Sequence, residues 1–471
     1  MPSTHRAQPG IPRKGRFATS DSRRLAFEVL RRPPIRGRFV QESLHLALDR
    51  SRLPDRERRL ATELVFGVIR RRRTLDALLA GVVNRPFERI QGDVLCALRL
   101  GAYQVVLLDT IPSYAAVAES VQLVRHIGLE RATGFVNATL RALERNLAEG
   151  FDSGPGAAAV PVDEGRYRRM RRAVLPDPAC DPLRYVAEAF SLPDWFVERR
   201  SAAADFRELC RLGFWFNARP SLYVRVNPLR LSRVELLARW QLAGVAAEPA
   251  DHPQGVRLPE GARVSKLPGY REGWFTVQDL SAMGAAPLLA PRPGERVLDL
   301  CAAPGGKTTH LAEQMEDRGR VVACDLNLRR LEQVVKQCCR LKLRSVVAAV
   351  MDGASAHCPL RSEFDAVLVD APCSNTGVLA RRPEARWRVT PRDIAELSAV
   401  QRRLLLWGAE CLKPGGRLLY VTCSIEPEEN EQVIASVLEQ RRDLTLIAAE
   451  ALVPGRPADG GYRALLARRG A

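Results

Sequence analysis

The sequence predicts a multidomain chain with an all-α N-terminal domain, a small α/β bridging module and a C-terminal α/β domain built on a parallel sheet. Two observations carry this. Apolar residues recur at helical spacing through the first third of the chain. From about residue 276 onward, short β-rich runs alternate with amphipathic stretches, the pattern of strands joined by crossover helices. At 471 residues the chain can hold two or three domains.

Residues 1–20 carry Pro, Gly and Arg without periodicity and are expected to form a flexible basic arm. Residues 21–148 read as helical throughout. Leu25, Val29 and Leu30 mark one face; Leu60, Leu64, Val65 and Val68 a second; Val94, Leu95, Leu98, Ala102 and Val105 a third. Pro112-Ser113 and Gly128 punctuate these helices, which number about six or seven. Residues 149–182 are expected to be a linker, because the Gly/Ala/Pro-rich stretch 149–163 has low complexity. Residues 183–275 mix a helical pattern from Pro193 to Leu212 with short strands such as Leu222–Val226, ended by Asn227-Pro228. They are taken as the bridging module.

In residues 276–471 the strand-like runs are Arg296–Cys301, Arg320–Cys324, Ser345–Val350, Phe364–Asp370 and Arg417–Thr422. Helical stretches at 305–316, 327–341 and 393–411 separate most of them. Ligands of such sheets bind beyond the carboxyl ends of the strands. Asp299–Lys307, Asp325, Asp352, Asp370–Cys373 and Cys423 all fall at or just past those ends, so one shared site is expected.

Composition narrows the function. The net charge is +18, from 72 basic and 54 acidic residues. Residues 1–73 hold 19 Arg or Lys against 7 Asp or Glu, and five arginines (166, 168, 169, 171, 172) cluster later. A GC-rich genome accounts for Arg replacing Lys but not for the clustering, which favours a polyanionic partner. There is no apolar run of 18 residues and no secretory signal, so a cytoplasmic protein without a membrane contact is expected. The 11 Cys include no C-x-x-C, and the 6 His are scattered, which argues against a disulfide framework or a metal site.

Asp299-Leu-Cys-Ala-Ala-Pro-Gly-Gly-Lys-Thr308 runs from a strand into a helix. Its small residues allow a ligand close to the backbone, and the helix start offers free amides. Gly306-Lys307-Thr308 imitates the end of a P-loop, but position 301 is Cys where that motif needs Gly. Asp325, closing the next strand, stands where an acid binds ribose hydroxyls in Rossmann-like folds. An adenosyl ligand fits better than a triphosphate.

Two cysteines, each at its own strand end, suit methyl transfer to carbon 5 of a cytosine. A thiolate adding to carbon 6 makes carbon 5 nucleophilic; a second group then assists proton removal and release. By residues alone either Cys373 or Cys423 could attack. Asp370 could hydrogen-bond the base or cap its turn. Arg381-Arg-Pro-Glu-Ala-Arg-Trp-Arg388 has the composition of a phosphate-contacting and base-stacking loop.

Cys301–Lys307, Asp370-Ala-Pro-Cys-Ser374 and Tyr420-Val-Thr-Cys-Ser-Ile-Glu-Pro-Glu-Glu-Asn430 resemble the cofactor loop and two cysteine motifs of the RsmB/Sun family of RNA cytosine-5 methyltransferases. Phe275–Ala282, Gly377–Pro383 and Arg225-Val-Asn227 resemble further segments, and the helical N-terminal part resembles a NusB-type domain. The resemblance covers residues 20 to 469. It implies S-adenosyl-L-methionine as cofactor, held by Cys301, Ala302, Ala303, Pro304, Gly305, Gly306, Lys307, Asp325, Asp352 and Asp370. It implies Cys423 as nucleophile, Cys373 in proton removal or product release, and Asp370 as a further catalytic group. It points to RNA as partner, 16S rRNA before tRNA, and to a monomer without metal. Two departures stand out: Asn375 replaces a smaller residue, and Asp459–Arg463 lacks part of an aromatic pair, leaving the last strand open. A non-enzymatic RNA-binding protein is the competing reading; retention of both cysteines, the loop and the acids speaks against it.

Overall fold

The computed structural model describes residues 22–32, 39–354, 360–456 and 458–470, so the expected arm at 1–20 lies outside the described residues. The chain divides into two compact units between Cys180 and Asp181.

The first unit holds seven α-helices among the described residues: Ser22–Leu30, Val40–Arg50, Asp55–Arg70, Arg72–Ala80, Gly92–Leu107, Ser113–His126 and Thr133–Arg145. The apolar faces read from the sequence are its core: Leu64, Val65, Leu98 and Ala102 are all fully buried. Gly101 permits the close crossing at its centre, since a Cβ there would lie 2.5 Å from Leu140 Cδ1.

The linker reading of residues 149–182 fails. Leu147–Asp152 (β1), Ala159–Asp163 (β2) and Arg166–Met170 (β3) form an antiparallel sheet in the order β1-β3-β2. The missed signal is the turn at Glu164-Gly165, whose glycine has φ 72°. Around it Val160, Tyr167 and Met170 are buried. The arginine cluster belongs to this strand system. Arg166 and Arg168 both pair with Asp109 and lie over the Phe151 ring, each 4.3 Å from its centroid; Arg169 pairs with Asp152. Part of the clustered charge is therefore neutralised within the fold.

In the second unit the helical stretch from Pro193 splits into Asp194–Ser201 and Phe206–Asn217. Tyr223–Val226 (β4), Glu248–Pro249 (β5), Gly255–Arg257 (β6) and Phe275–Val277 (β7) make an antiparallel sheet in the order β5-β6-β4-β7. β7 runs two residues past the expected module boundary at 275. Val224, Trp240, Val256 and Phe275 form its core.

The larger sheet contains Arg296–Leu300 (β8), Arg320–Asp325 (β9), Val346–Val350 (β10), Phe364–Asp370 (β11), Leu412–Thr422 (β12), Leu444–Leu452 (β13) and Gly461–Arg468 (β14). Its order is β10-β9-β8-β11-β12-β14-β13. The first five are parallel, whereas β14 is antiparallel to both neighbours. The sheet is thus mixed, and the open question of the last strand is answered by β14. Helices Gly306–Gln314 and Leu328–Leu341 bury Leu311, Leu331 and Val334 against one face. Helices Pro391–Cys411 and Glu431–Gln440 bury Leu404, Trp407 and Val433 against the other. No helix among the described residues is long and apolar enough to cross a membrane.

Candidate active site at the carboxyl ends of the strands

Three adjacent strands, β9, β8 and β11, and then β12 end at one rim of the sheet, so the loops that follow them are neighbours. After β8 the chain turns sharply: Cys301 has φ 63° and Gly305 φ 103°. Ala302 N donates to Cys324 O at 2.8 Å, tying the loop to the end of β9. Gly305 starts the helix Gly306–Gln314, and a Cβ there would meet Val334 Cα at 3.1 Å. The loop is a tight cradle with free amides at its helix end.

Asp325 closes β9 and is almost fully buried. Its carboxylate accepts from Asn327 N at 3.0 Å and from Ala303 N at 3.4 Å. Arg330 lies 3.4 Å from it and also donates to Ala303 O at 2.8 Å. Arg330 was not singled out in the sequence. Its only signal there was its place one turn into the helix after Asp325. Asp352 follows β10, whose last residue pairs with Asp325; it accepts from Ala354 N at 2.9 Å, turning the loop.

Lys307 Nζ donates to Asp370 Oδ2 at 2.7 Å, joining the β8 loop to the end of β11. Burial disfavours the Lys307 ammonium, but the Asp370 carboxylate, and less strongly Cys423 and Asp299, raise its pKa above the ordinary value overall. Asp299 is fully buried and its Oδ2 accepts from Thr308 Oγ1 at 2.6 Å. Burial pushes its pKa to about 7. Burial also pushes the Cys301 thiol above its ordinary pKa.

Cys373 and Cys423 come together: their sulfurs are 2.8 Å apart, and Cys423 N donates to Cys373 Sγ at 3.3 Å. The hydrogen bond to Cys423 is the main cause that holds the Cys373 thiol well above its ordinary pKa, with burial second. Asn375 sits in the left-handed region at φ 62°, which Asn tolerates. Its amide donates to Cys373 O at 2.8 Å, and its Oδ1 lies 3.3 Å from Cys423 Sγ.

The Arg381–Arg388 stretch is different from the expected RNA-contacting loop. Arg381 is paired with both Asp279 and Asp459. Arg386 is buried, donating to Ser191 O at 3.0 Å and Phe216 O at 2.9 Å. Arg386 thereby ties the bridging helices to the sheet domain, whereas Arg381 links the segment after β7 to the loop before β14.

Comparison with known proteins fits this arrangement. The model of the 16S rRNA methyltransferase RsmB/F family matches residues 286–459. The NusB family model matches residues 20–145, and that of the RsmF/B-like ferredoxin-like domain residues 192–265. The probable ribosomal RNA small subunit methyltransferase B of Synechocystis sp. is 37% identical over 432 residues, 90% of either chain. The ribosomal RNA small subunit methyltransferase B of Klebsiella pneumoniae subsp. pneumoniae is 36% identical over 419 residues, 88% of either chain. The crystal structure of PH0851 shares the fold, with a TM-score of 0.76 at 24% identity over 94% of this chain and 98% of that one. With its helical, ferredoxin-like and methyltransferase parts matched in order, and that identity sustained along nearly the whole of two curated relatives, the chain belongs to the RsmB/F family of 16S rRNA methyltransferases.

Proposed function

We propose that this protein methylates carbon 5 of a cytosine in 16S rRNA, with S-adenosyl-L-methionine as methyl donor and Cys423 as covalent nucleophile. The observation that carries the reading is the pair of sulfurs 2.8 Å apart beside the Lys307–Asp370 ion pair. The loop and acids suit the donor. The Gly305 turn brings backbone close to a ligand, and Asp325 keeps lone pairs for ribose hydroxyls after its two backbone bonds. When bound, S-adenosyl-L-methionine supplies an electrophilic methyl group.

The chain's own residues account for the rest. The resemblance to the family's second cysteine motif assigns the attack on carbon 6 to Cys423, with the Lys307 ammonium supplying nearby positive charge and the Cys373 sulfur in contact with it. Adding sulfur there makes carbon 5 nucleophilic. After methylation the carbon 5 proton passes to a water molecule acting as base, its electron pair re-forms the carbon 5–carbon 6 double bond, and Cys423 leaves with the carbon 6–sulfur pair as thiolate. Cys373, touching Cys423, is placed to take part in that release. Asp370, held by Lys307, keeps one carboxylate oxygen for the amino edge of the base.

Incubating the protein with S-adenosyl-L-methionine and either 16S rRNA or tRNA from a strain lacking the gene, then mapping each by bisulfite sequencing, tests the reading. One protected cytosine in 16S rRNA is expected. Protection only in tRNA would transfer the substrate to tRNA, and none in either RNA would overturn the activity.

A further inference from the structure

Behind the two cysteines lies a fully buried carboxylate that the reaction scheme does not use. Glu429 ends the short turn Pro427–Glu429 after β12. Its Oε1 accepts from Ser374 N at 2.9 Å and from Gln401 Nε2 at 2.9 Å. Its Oε2 accepts from the Ser374 hydroxyl. Gln401 Nε2 also donates to Pro372 O at 2.9 Å, so the residues on both sides of Cys373 are tied to one group. The Ser374 and Ser424 hydroxyl oxygens lie 3.1 Å apart, and Ser424 directly follows Cys423. The Tyr420 hydroxyl donates to Glu429 O at 2.6 Å, fixing the turn to the strand that carries Cys423. A carboxylate is costly to bury, and here it accepts from Ser374, beside Cys373, and from Gln401, which braces the same loop.

We propose that Glu429 is a positioning residue that holds Cys373 against Cys423, so that release of the methylated product depends on it. This rests on the reading of Cys423 as the attacking group and Cys373 as the releasing one. Removing the carboxylate strands the Ser374 and Gln401 donors and frees the Cys373 loop to move away. The hydrogen-bond partners of its carboxylate are Ser374 and Gln401, outside the cofactor loop, so donor binding is expected to be independent of it. Gln at this position keeps an oxygen for Ser374 N and Gln401, and its amide can donate to the Ser374 hydroxyl.

The test uses full-length Glu429→Ala, Glu429→Gln, Ser374→Ala and Cys373→Ala proteins with RNA and S-adenosyl-L-methionine. Covalent protein–RNA species are read on denaturing gels, and donor affinity by calorimetry. The rate at which diamide, a thiol oxidant, joins Cys373 to Cys423 is read by mass spectrometry without RNA. Glu429→Ala is expected to accumulate the covalent species as Cys373→Ala does, keep donor affinity, and cross-link at least about tenfold more slowly, the factor that loss of even one of its three charged hydrogen bonds would give. Glu429→Gln should behave as the parent. Parental release and cross-linking in Glu429→Ala, with Cys373→Ala trapping RNA, would overturn the proposal alone. If Cys373→Ala traps nothing, the reading of the cysteine roles fails, and the cross-linking rate still decides on Glu429. Should Glu429→Ala not fold, Ser374→Ala, which removes only the hydroxyl link, decides by the same two rates.

Discussion

Asp299 and Asp325 end neighbouring strands, yet their surroundings give them different tasks. Asp325, though almost fully buried, lies among the loop amides and Arg330, whereas Asp299 is buried with Thr308 as its partner. We expect Asp325→Ala to weaken S-adenosyl-L-methionine binding by about 1 to 3 kcal/mol, the usual result of leaving ligand hydroxyls unpaired. Titration calorimetry showing the parental affinity would remove Asp325 from the donor site. Asp299 predicts a pH effect. Its pKa of about 7 in the fold exceeds the unfolded value of about 3.9. Between those values the folded state holds a proton that the unfolded state releases, so this group's contribution to stability declines as pH rises. Asp299→Asn keeps an acceptor for Thr308 and cannot ionise. Urea midpoints of variant and parent should agree near pH 4 and diverge in the variant's favour up to neutrality; parallel profiles would show that Asp299 is ionised in the fold. That both cysteines, Lys307 and the acids share one rim of the sheet was legible, because each lies at a strand end or in the loop and helix start that follow one. Asn375, Arg330 and Glu429 were not legible as partners, because Asn375 meets Cys423 and Glu429 meets Ser374 across about fifty positions of sequence that no local pattern connects.

Regular alternation of strands and helices made the parallel part of the large sheet readable, since each β8–β12 strand has its own apolar run. What failed were elements whose sequence is small or polar. The β1–β3 sheet hides in a Gly/Ala/Pro stretch because its buried positions are few, and β13 is exposed along most of its length. β4 carries a fully buried arginine that no periodicity would place. Arg225 donates to both carboxylate oxygens of Glu313 at 2.9 and 2.8 Å and to Gly306 O at 2.8 Å, so the bridging sheet grips both ends of the cofactor-loop helix. Both side chains are fully buried. Arg225→Ala strands the Glu313 charge and should destabilise the second unit by about 3 to 5 kcal/mol, whereas Arg225→Met with Glu313→Leu should recover most of that loss. Denaturation curves in which the single variant matches the parent would contradict a structural role for the pair.

Over the whole molecule, charge is the property that extends beyond the site. About two-thirds of the excess of +18 lies in residues 1–73, while the later arginine cluster is partly neutralised by Asp109 and Asp152. Deleting residues 1–20 should therefore flatten the salt dependence of RNA affinity by about 0.7 to 0.9 in log–log slope for each phosphate contact removed. An unchanged slope would mean that the basic arm does not touch RNA. The covalent chemistry is the central claim, and the two cysteines should fail in opposite ways. Denaturing gels of Cys423→Ala and Cys373→Ala proteins after reaction with 16S rRNA and S-adenosyl-L-methionine test it most directly. Cys423→Ala should give neither methylated RNA nor a covalent species, and Cys373→Ala should accumulate a protein–RNA adduct carrying the methyl group. An adduct trapped by Cys423→Ala and absent from Cys373→Ala would reverse the roles, and full methylation by both variants would contradict the thiolate mechanism.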